Sequence, residues 1–258
     1  MPVYRLELAY DGSGFRGYAR QQGQRTVQGE LEEALATLLG SAVETAVAGR
    51  TDAGVHALGQ VVSFAWDEEL DGERFCRGLN GILGPEIAAK RVTVAADDFD
   101  ARFSAVWRRY RYLLEMRRYA DPLTRGFTWH VGRDLDLAAM RAAASVMLGE
   151  HDFSAFCRSV EGRSNVREVT ELTLNEEDGL VAFWVQANAF CHQMVRSIVG
   201  YLYDTGRGFV PAERAAEVLA AGDRSAVATV APPHGLTLWE VGYPFPNAPR
   251  PNSGLLDV

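Results

Sequence analysis

Asp52 stands in the nine-residue string Gly49-Arg50-Thr51-Asp52-Ala53-Gly54-Val55-His56-Ala57, where two glycines bracket one carboxylate. Glycine permits positive φ and close backbone approach. A turn built this way presents its carboxylate, and a presented carboxylate can serve as nucleophile or base. In isolation, the same aspartate reads first as a side chain bonded to its own turn. Three other strings have chemical potential. Gly12-Ser13-Gly14-Phe15-Arg16-Gly17 matches G-x-G-x-x-G, but the residues after it show no apolar stripe to make the helix that a pyrophosphate needs. No nucleotide cofactor is therefore expected. Cys191-His192 is the one Cys/His neighbour pair; Cys76, Cys157 and Cys191 are far apart, odd in number and without CxxC spacing. Neither a metal centre nor a disulfide framework is expected from them. Finally, Arg102 to Arg125 holds seven arginines against Glu115 and Asp121, which reads either as a solvated strand face or as a basic patch.

These residues need elements to hold them. Residues 3–10 alternate with period two and predict a strand. Thr26 predicts an N-cap and Gly40 a stop for a helix whose stripe is Val27, Leu31, Leu35, Leu38 and Leu39. Strands are expected over 42–48 and 58–66, with the Asp52 loop between them, then a helix near 71–81 and a strand near 86–95. The second half repeats the order: a strand over 107–116, a helix over 136–148, strands 166–174 and 180–188 around a polar Asn175–Gly179 turn, helices over 192–206 and about 211–221, and a last strand over 235–243. The fold class expected is α+β, two tandem split β-α-β units of ferredoxin- or RRM-like order, with mainly antiparallel sheets meeting at a central cleft. The expected boundaries are 1–105 for the half with the Asp52 loop, 106–245 for the second half, and 246–258 for a loose tail.

The chain has 258 residues, 47% hydrophobic and 23% charged, with a net charge of -8. This is ordinary for a globular protein and argues against one that coats nucleic acid unspecifically. No apolar run approaches the roughly 18 residues of a membrane span, and the N-terminus leads straight into a strand pattern, so a cytoplasmic location is expected.

The string around Asp52 resembles the catalytic loop of the tRNA pseudouridine synthases, the branch acting in the anticodon stem-loop. Further similarity runs along the chain: the opening Tyr10-Asp11-Gly12 to Gly17, the helix start Thr26 to Glu32, Ala101 to Ala105 followed by Arg108-Arg109-Tyr110-Arg111-Tyr112, then Phe190 to Gly200, and Ala231 to Leu236. Two departures stand out. Tyr18-Ala19 replaces the usual Trp-Gln, and Asp100 the usual His. The resemblance implies the pseudouridine synthase fold and isomerisation of uridine to pseudouridine at positions 38 to 40 of tRNA. It also implies a homodimer without metal or organic cofactor.

It implies residue roles as well. Asp52 would be the essential aspartate, Tyr110 the tyrosine against the uracil, Arg196 the basic partner of the aspartate, and Arg50 the residue filling the space of a flipped base. The arginine-rich strand 107–118, Arg109 and Arg111 among its residues, and loop residues Arg16, Arg20 and Arg25 are expected to contact phosphates. The chemistry breaks the C1′–N1 bond, turns the uracil and joins C5 to C1′. A carboxylate suits this by adding to the sugar, by stabilising cationic character at C1′, or by removing the 2′ proton, and the three routes stay open. A catalytically silent RNA-binding relative would have no reason to keep Asp52, Tyr110 and Arg196 together. A nucleoside hydrolase would share Asp52 but would not need the arginine-rich strand.

Overall fold

The computed structural model describes residues 1–158, 162 and 164–244. The expected tail, 246–258, lies outside them. In β1 (Val3–Tyr10), alternate residues Tyr4, Leu6, Leu8 and Tyr10 are buried. Burying each large apolar side chain is worth roughly 1.5–3 kcal/mol. α1 (Val27–Leu39) begins where Thr26 accepts the Gly29 amide and stops at Gly40, whose φ of 76° is left-handed. Its buried face is Val27, Leu31, Ala34 and Leu35. Leu38, expected in that stripe, is exposed at its backbone position yet lies over Gly78 of α2 (Gly72–Leu83).

The expected strand over 42–48 is only β2 (Ala46–Val47), because the polar residues before it find no partner strand; β3 (His56–Ala65) and β4 (Ile87–Val94) complete the first half. The second half holds β5 (Trp107–Glu115), β6 (Trp129–His130), α3 (Leu137–Val146), β7 (Gly149–Asp152), β8 (Val166–Glu177) and β9 (Leu180–Ala187). α4 (Met194–Gly206), α5 (Arg214–Ala221) and β10 (Leu236–Gly242) follow. The polar turn expected at 175–179 shrinks to Asp178-Gly179, both at positive φ, the geometry that matches hairpin twist. β8 therefore runs on through Asn175 to Glu177. The short strands β6 and β7 carry no usable periodicity and were not expected.

One sheet holds all ten strands, in the order β4-β1-β3-β10-β5-β9-β8-β7, with β2 on β3 and β6 on β5. The last strand joins the two halves: β10 is parallel to β3, with Thr237 opposite His56, and antiparallel to β5, with Leu238 opposite Tyr110. Two chain segments more than 50 residues apart, the entry to β3 and the middle of β5, are thus separated by one strand. The Asp52 loop, which feeds β3, comes to lie beside Tyr110.

Candidate active site

The Asp52 loop is clamped from below by polar side chains. The buried Gln60 side chain accepts the Gly49 amide at 3.2 Å and donates to the Gly49 carbonyl at 2.7 Å and to the Tyr10 hydroxyl at 3.1 Å. Tyr10 and Thr51 share a hydroxyl hydrogen bond of 2.8 Å. The Tyr18 amide donates to the Thr51 carbonyl, and the Val55 amide to the Asp52 carbonyl. The glycines of residues 12–17 serve this same loop. A Cβ at Gly12 would sit 2.0 Å from the Val55 carbonyl oxygen, and one at Gly17 (φ 98°) would crowd the Thr51 carbonyl oxygen at 3.1 Å. The Gly12 amide lies 3.0 Å and Asp11 Oδ1 3.1 Å from His56 Nδ1, while Nε2 faces the Gly126 and His234 carbonyls at 3.1 Å each. Burial holds the His56 imidazole below its ordinary pKa, keeping it neutral. The glycine string is therefore a packing surface under the loop.

Above the loop is a cavity of 540 Å³ lined in part by Asp52, Arg50, Tyr110, His192 and Arg196. Arg196, in the first turn of α4, places Nη1 3.3 Å from Asp52 Oδ2 and donates from Nε to the Ala231 carbonyl at 2.7 Å. The Ala231 amide returns a bond to the Arg196 carbonyl, so the guanidinium is fixed from behind. The other carboxylate oxygen, Oδ1, faces His192 Nε2 at 3.4 Å. Tyr110 is buried, its ring edge-on to Phe190 at 5.0 Å, and burial pushes its hydroxyl pKa up, so it stays protonated. Arg50 is exposed and makes no ion pair among the described residues.

The arginines divide. Arg102, Arg108 and Arg167 line the cavity with Arg50 and Arg196, so that among the described residues five arginines and one carboxylate residue, Asp52, share the lining. Arg108 spends its donors on carbonyls of Ala48, Arg102, Ala105 and Asn188, bracing the cavity wall. Arg109 and Arg111 are on the opposite face of β5. Arg109 makes a two-bond pair with Glu171, both at 2.8 Å, and lies over Trp184; Arg111 lies over Trp239, and burial lowers its pKa to about 10. Arg20 pairs with Glu32, and Arg25 with Glu30 and Glu86. The structure thus brings Asp52, Tyr110, Arg50 and Arg196 together and does not bring Arg109 or Arg111 to them.

Sequence reasoning overlooked Gln60 and His192 as parts of the site, and took Arg108 only as one of the strand arginines expected at phosphates. A signal existed for Arg108, since period-two alternation puts residue 108 on the face of Tyr110 and residues 109 and 111 on the other. The expectation about the cysteines is corrected: Cys157 and Cys191 form a disulfide, their Cα atoms 5.7 Å apart. Spacing along the chain cannot report that the fold brings the turn before β8 against the segment before α4. Cys76 is free and buried. The departures sit quietly: Tyr18 is fully buried beside Tyr10, and Asp100 accepts the Arg102 and Phe103 amides in a local turn. Among the described residues, no group of three or more His, Cys, Asp or Glu is arranged to hold a metal, and no helix is long and apolar enough to cross a membrane.

Comparison with known proteins adds the following. The family model described as tRNA pseudouridine synthase matches residues 8–104 and 143–244. A protein named tRNA pseudouridine synthase A from Frankia casuarinae is 48% identical over 243 residues, 93% of this chain and 89% of that protein. Proteins of the same name from Streptomyces griseus, 47% identical over 93% of this chain and 87% of that protein, and Listeria welshimeri, 40% identical over 94% of this chain and all of that protein, are similar too. Among solved structures, the match to a Cbf5-Nop10-Gar1 complex covers 92% of this chain and 58% of that chain at 11% identity and a TM-score of 0.38.

Proposed function

Because this chain belongs to the tRNA pseudouridine synthase family, we propose that Asp52 is the carboxylate through which it works. The protein is an isomerase that converts uridine to pseudouridine in the anticodon stem-loop of tRNA. The uridines assigned to it are those at positions 38 to 40, and its working form is a homodimer in the cytoplasm. The observation that carries the Asp52 assignment is its place in the cavity, with a fixed guanidinium at 3.3 Å and the Tyr110 ring in the same wall.

A cavity of 540 Å³ lies within the ~300–1,000 Å³ usual for small-molecule sites. It suits one extruded nucleotide and excludes a paired stem. Extrusion costs a few kcal/mol, which contacts between cavity arginines and phosphates offset. Arg50, exposed and without an ion-pair partner among the described residues, is free to enter the gap left in the stem. Tyr110 offers the uracil a buried aromatic surface, and its protonated hydroxyl is suited to a late proton transfer at C5. Asp52 stands 3.3 Å from the Arg196 guanidinium, placed for any of the three routes at the sugar. Residues on both sides of 105 supply the lining: Arg50 and Asp52 from the first half, Tyr110 and Arg196 from the second. No step requires a metal or an organic cofactor.

The test is to map pseudouridine in unmodified tRNA after incubation with the protein alone, beside Asp52→Asn. Pseudouridine at positions 38 to 40 with the parent and none with the variant is expected. Equal modification by both would remove Asp52 from the chemistry. Light scattering checks the homodimer; a mass of one chain, 28.3 kDa, at working concentration would overturn it.

A further inference from the structure

His192 has no structural task that accounts for its place. Its side chain is 41% exposed, and the one partner its ring has among the described residues is Asp52, at 3.4 Å from Nε2 to Oδ1. It fills no core and caps no helix. Its backbone, by contrast, is held with care. The His192 carbonyl accepts the Arg158 amide at 3.0 Å, the neighbouring Cys191 is joined to Cys157, and the Cys191 carbonyl accepts the Met194 amide. Gln193, between His192 and α4, has a φ of 67°. A side chain other than glycine held there is strained, and such strain persists where the surroundings impose it. The consequence of this turn is geometric. It sets His192 and Arg196, on either side of the helix start, against the two oxygens of one carboxylate.

We propose that His192 is a positioning residue for Asp52: its 3.4 Å approach closes to a hydrogen bond that holds Oδ1 while Arg196 holds Oδ2. This rests on Asp52 being the working carboxylate. A carboxylate anchored at one oxygen only can swing about the bond to its Cβ. Anchored at both, it keeps its plane, and with about four lone-pair sites on two oxygens it still has sites to offer the ribose. Fixing a reacting group before substrate arrives is worth rate and costs nothing in affinity. The two anchors differ in kind. Arg196 is largely buried and tied to Ala231, whereas the imidazole is partly exposed. His192 is therefore the anchor that can be altered without disturbing the fold.

The experiment uses His192→Phe, His192→Gln and Asp52→Asn in the full chain, with thermal melting as the folding control. His192→Phe keeps a ring and loses the donor. Its single-turnover rate on tRNA should fall about tenfold while the Kd for tRNA stays within about twofold. His192→Gln places an amide donor near the position of Nε2 and should recover most of that loss, which a merely structural role would not give. Independently of activity, the ring nitrogen resonances of His192 in ¹⁵N-histidine-labelled protein should move in Asp52→Asn. Full activity in His192→Phe with an inactive Asp52→Asn overturns the role of His192 and leaves the assignment of Asp52 standing. An active Asp52→Asn overturns that assignment instead. Unmoved His192 resonances in Asp52→Asn remove the contact on which the proposal stands.

Discussion

The two faces of β5 carry neighbouring residues to opposite ends of the protein's chemistry. On one face, Arg108 and Tyr110 line the cavity of Asp52. On the other, Arg109 and Arg111 lie over Trp184 and Trp239, whose rings meet edge to face at 5.1 Å, and Glu171 takes both bonds of Arg109. Three arginines in four positions share a composition and differ in fate, because successive strand residues point to opposite sides. A charge run along a strand is two half-runs, and only one of them can face a given ligand. The cavity face should therefore hold the catalytic effects and the back face effects on stability.

The largest test of that division is Asp52→Asn. Asparagine keeps the shape of the turn, which Gln60, Tyr10 and Tyr18 hold through Gly49 and Thr51 and not through the carboxylate. The single-turnover rate should fall by several orders of magnitude, roughly 4 kcal/mol or more of transition-state stabilisation. Melting temperature and tRNA affinity should hardly move. A variant that folds, binds and reacts near the parent's rate would sink the reading of the cavity face as catalytic.

Arg196→Met comes next. Loss of one charged contact to the working carboxylate should cost about a hundredfold in rate. The fold should lose stability as well. Arg196 also satisfies the Ala231 carbonyl at 2.7 Å, and an unsatisfied buried acceptor costs about 1–3 kcal/mol. Urea unfolding should show that loss beside the kinetic one. Unchanged stability together with unchanged rate would reduce Arg196 to an ordinary helix arginine.

Much of this was legible in the chain. The loop of Asp52 announces itself by residue type and bracketing glycines, and the caps Thr26 and Gly40 mark α1 because capping is local chemistry. What resisted were pairings across long separations. The place of β10 between β3 and β5 follows from the whole sheet, not from any segment. That the glycines from Gly12 to Gly17 open no dinucleotide helix was readable in the sequence; what Gly12 does instead shows only with the Val55 carbonyl pressed against it. Cys157 with Cys191, and His192 with Asp52, are meetings that no spacing rule reports. Arg109 and Arg111 are a different case: the alternation that separates them from Tyr110 was present in the sequence, and the density of positive charge hid it.

Alkaline pH separates the faces in a third way. Burial raises the Tyr110 hydroxyl pKa above its ordinary 10.0. Where the unfolded chain has lost this proton and the folded chain keeps it, the folded state binds more protons and stability falls as pH rises. The stability linked to Tyr110 is thus complete below about pH 10 and declines above it, at no more than about 1.4 kcal/mol per pH unit. Tyr110→Phe lacks this linkage. Urea unfolding of parent and variant between about pH 9 and about pH 11 should show the variant gaining on the parent. Parallel curves would mean that the hydroxyl ionises as freely as an exposed one.

The smallest effects decide the comparison most directly. Each cation that meets a phosphate contributes close to one unit to the slope of log affinity against log salt. Arg50 faces the cavity with no ion pair among the described residues, so Arg50→Gln should lower that slope by about one. Arg109 and Arg111 were expected from the sequence to do the same. Their places in the structure argue for the contrary, since Arg109 already has its carboxylate and both lie against indole rings. Arg109→Gln should leave the salt slope of tRNA binding as it is and lower stability by about 0.5–1 kcal/mol, the scale of a partly exposed ion pair. A double-mutant cycle with Glu171→Gln should recover most of that loss as coupling. The measurement is a tRNA titration at several salt concentrations for each variant, beside urea unfolding. If Arg109→Gln flattens the slope as much as Arg50→Gln does, tRNA reaches both sides of the sheet. The division of β5 into a catalytic face and a structural face is then wrong.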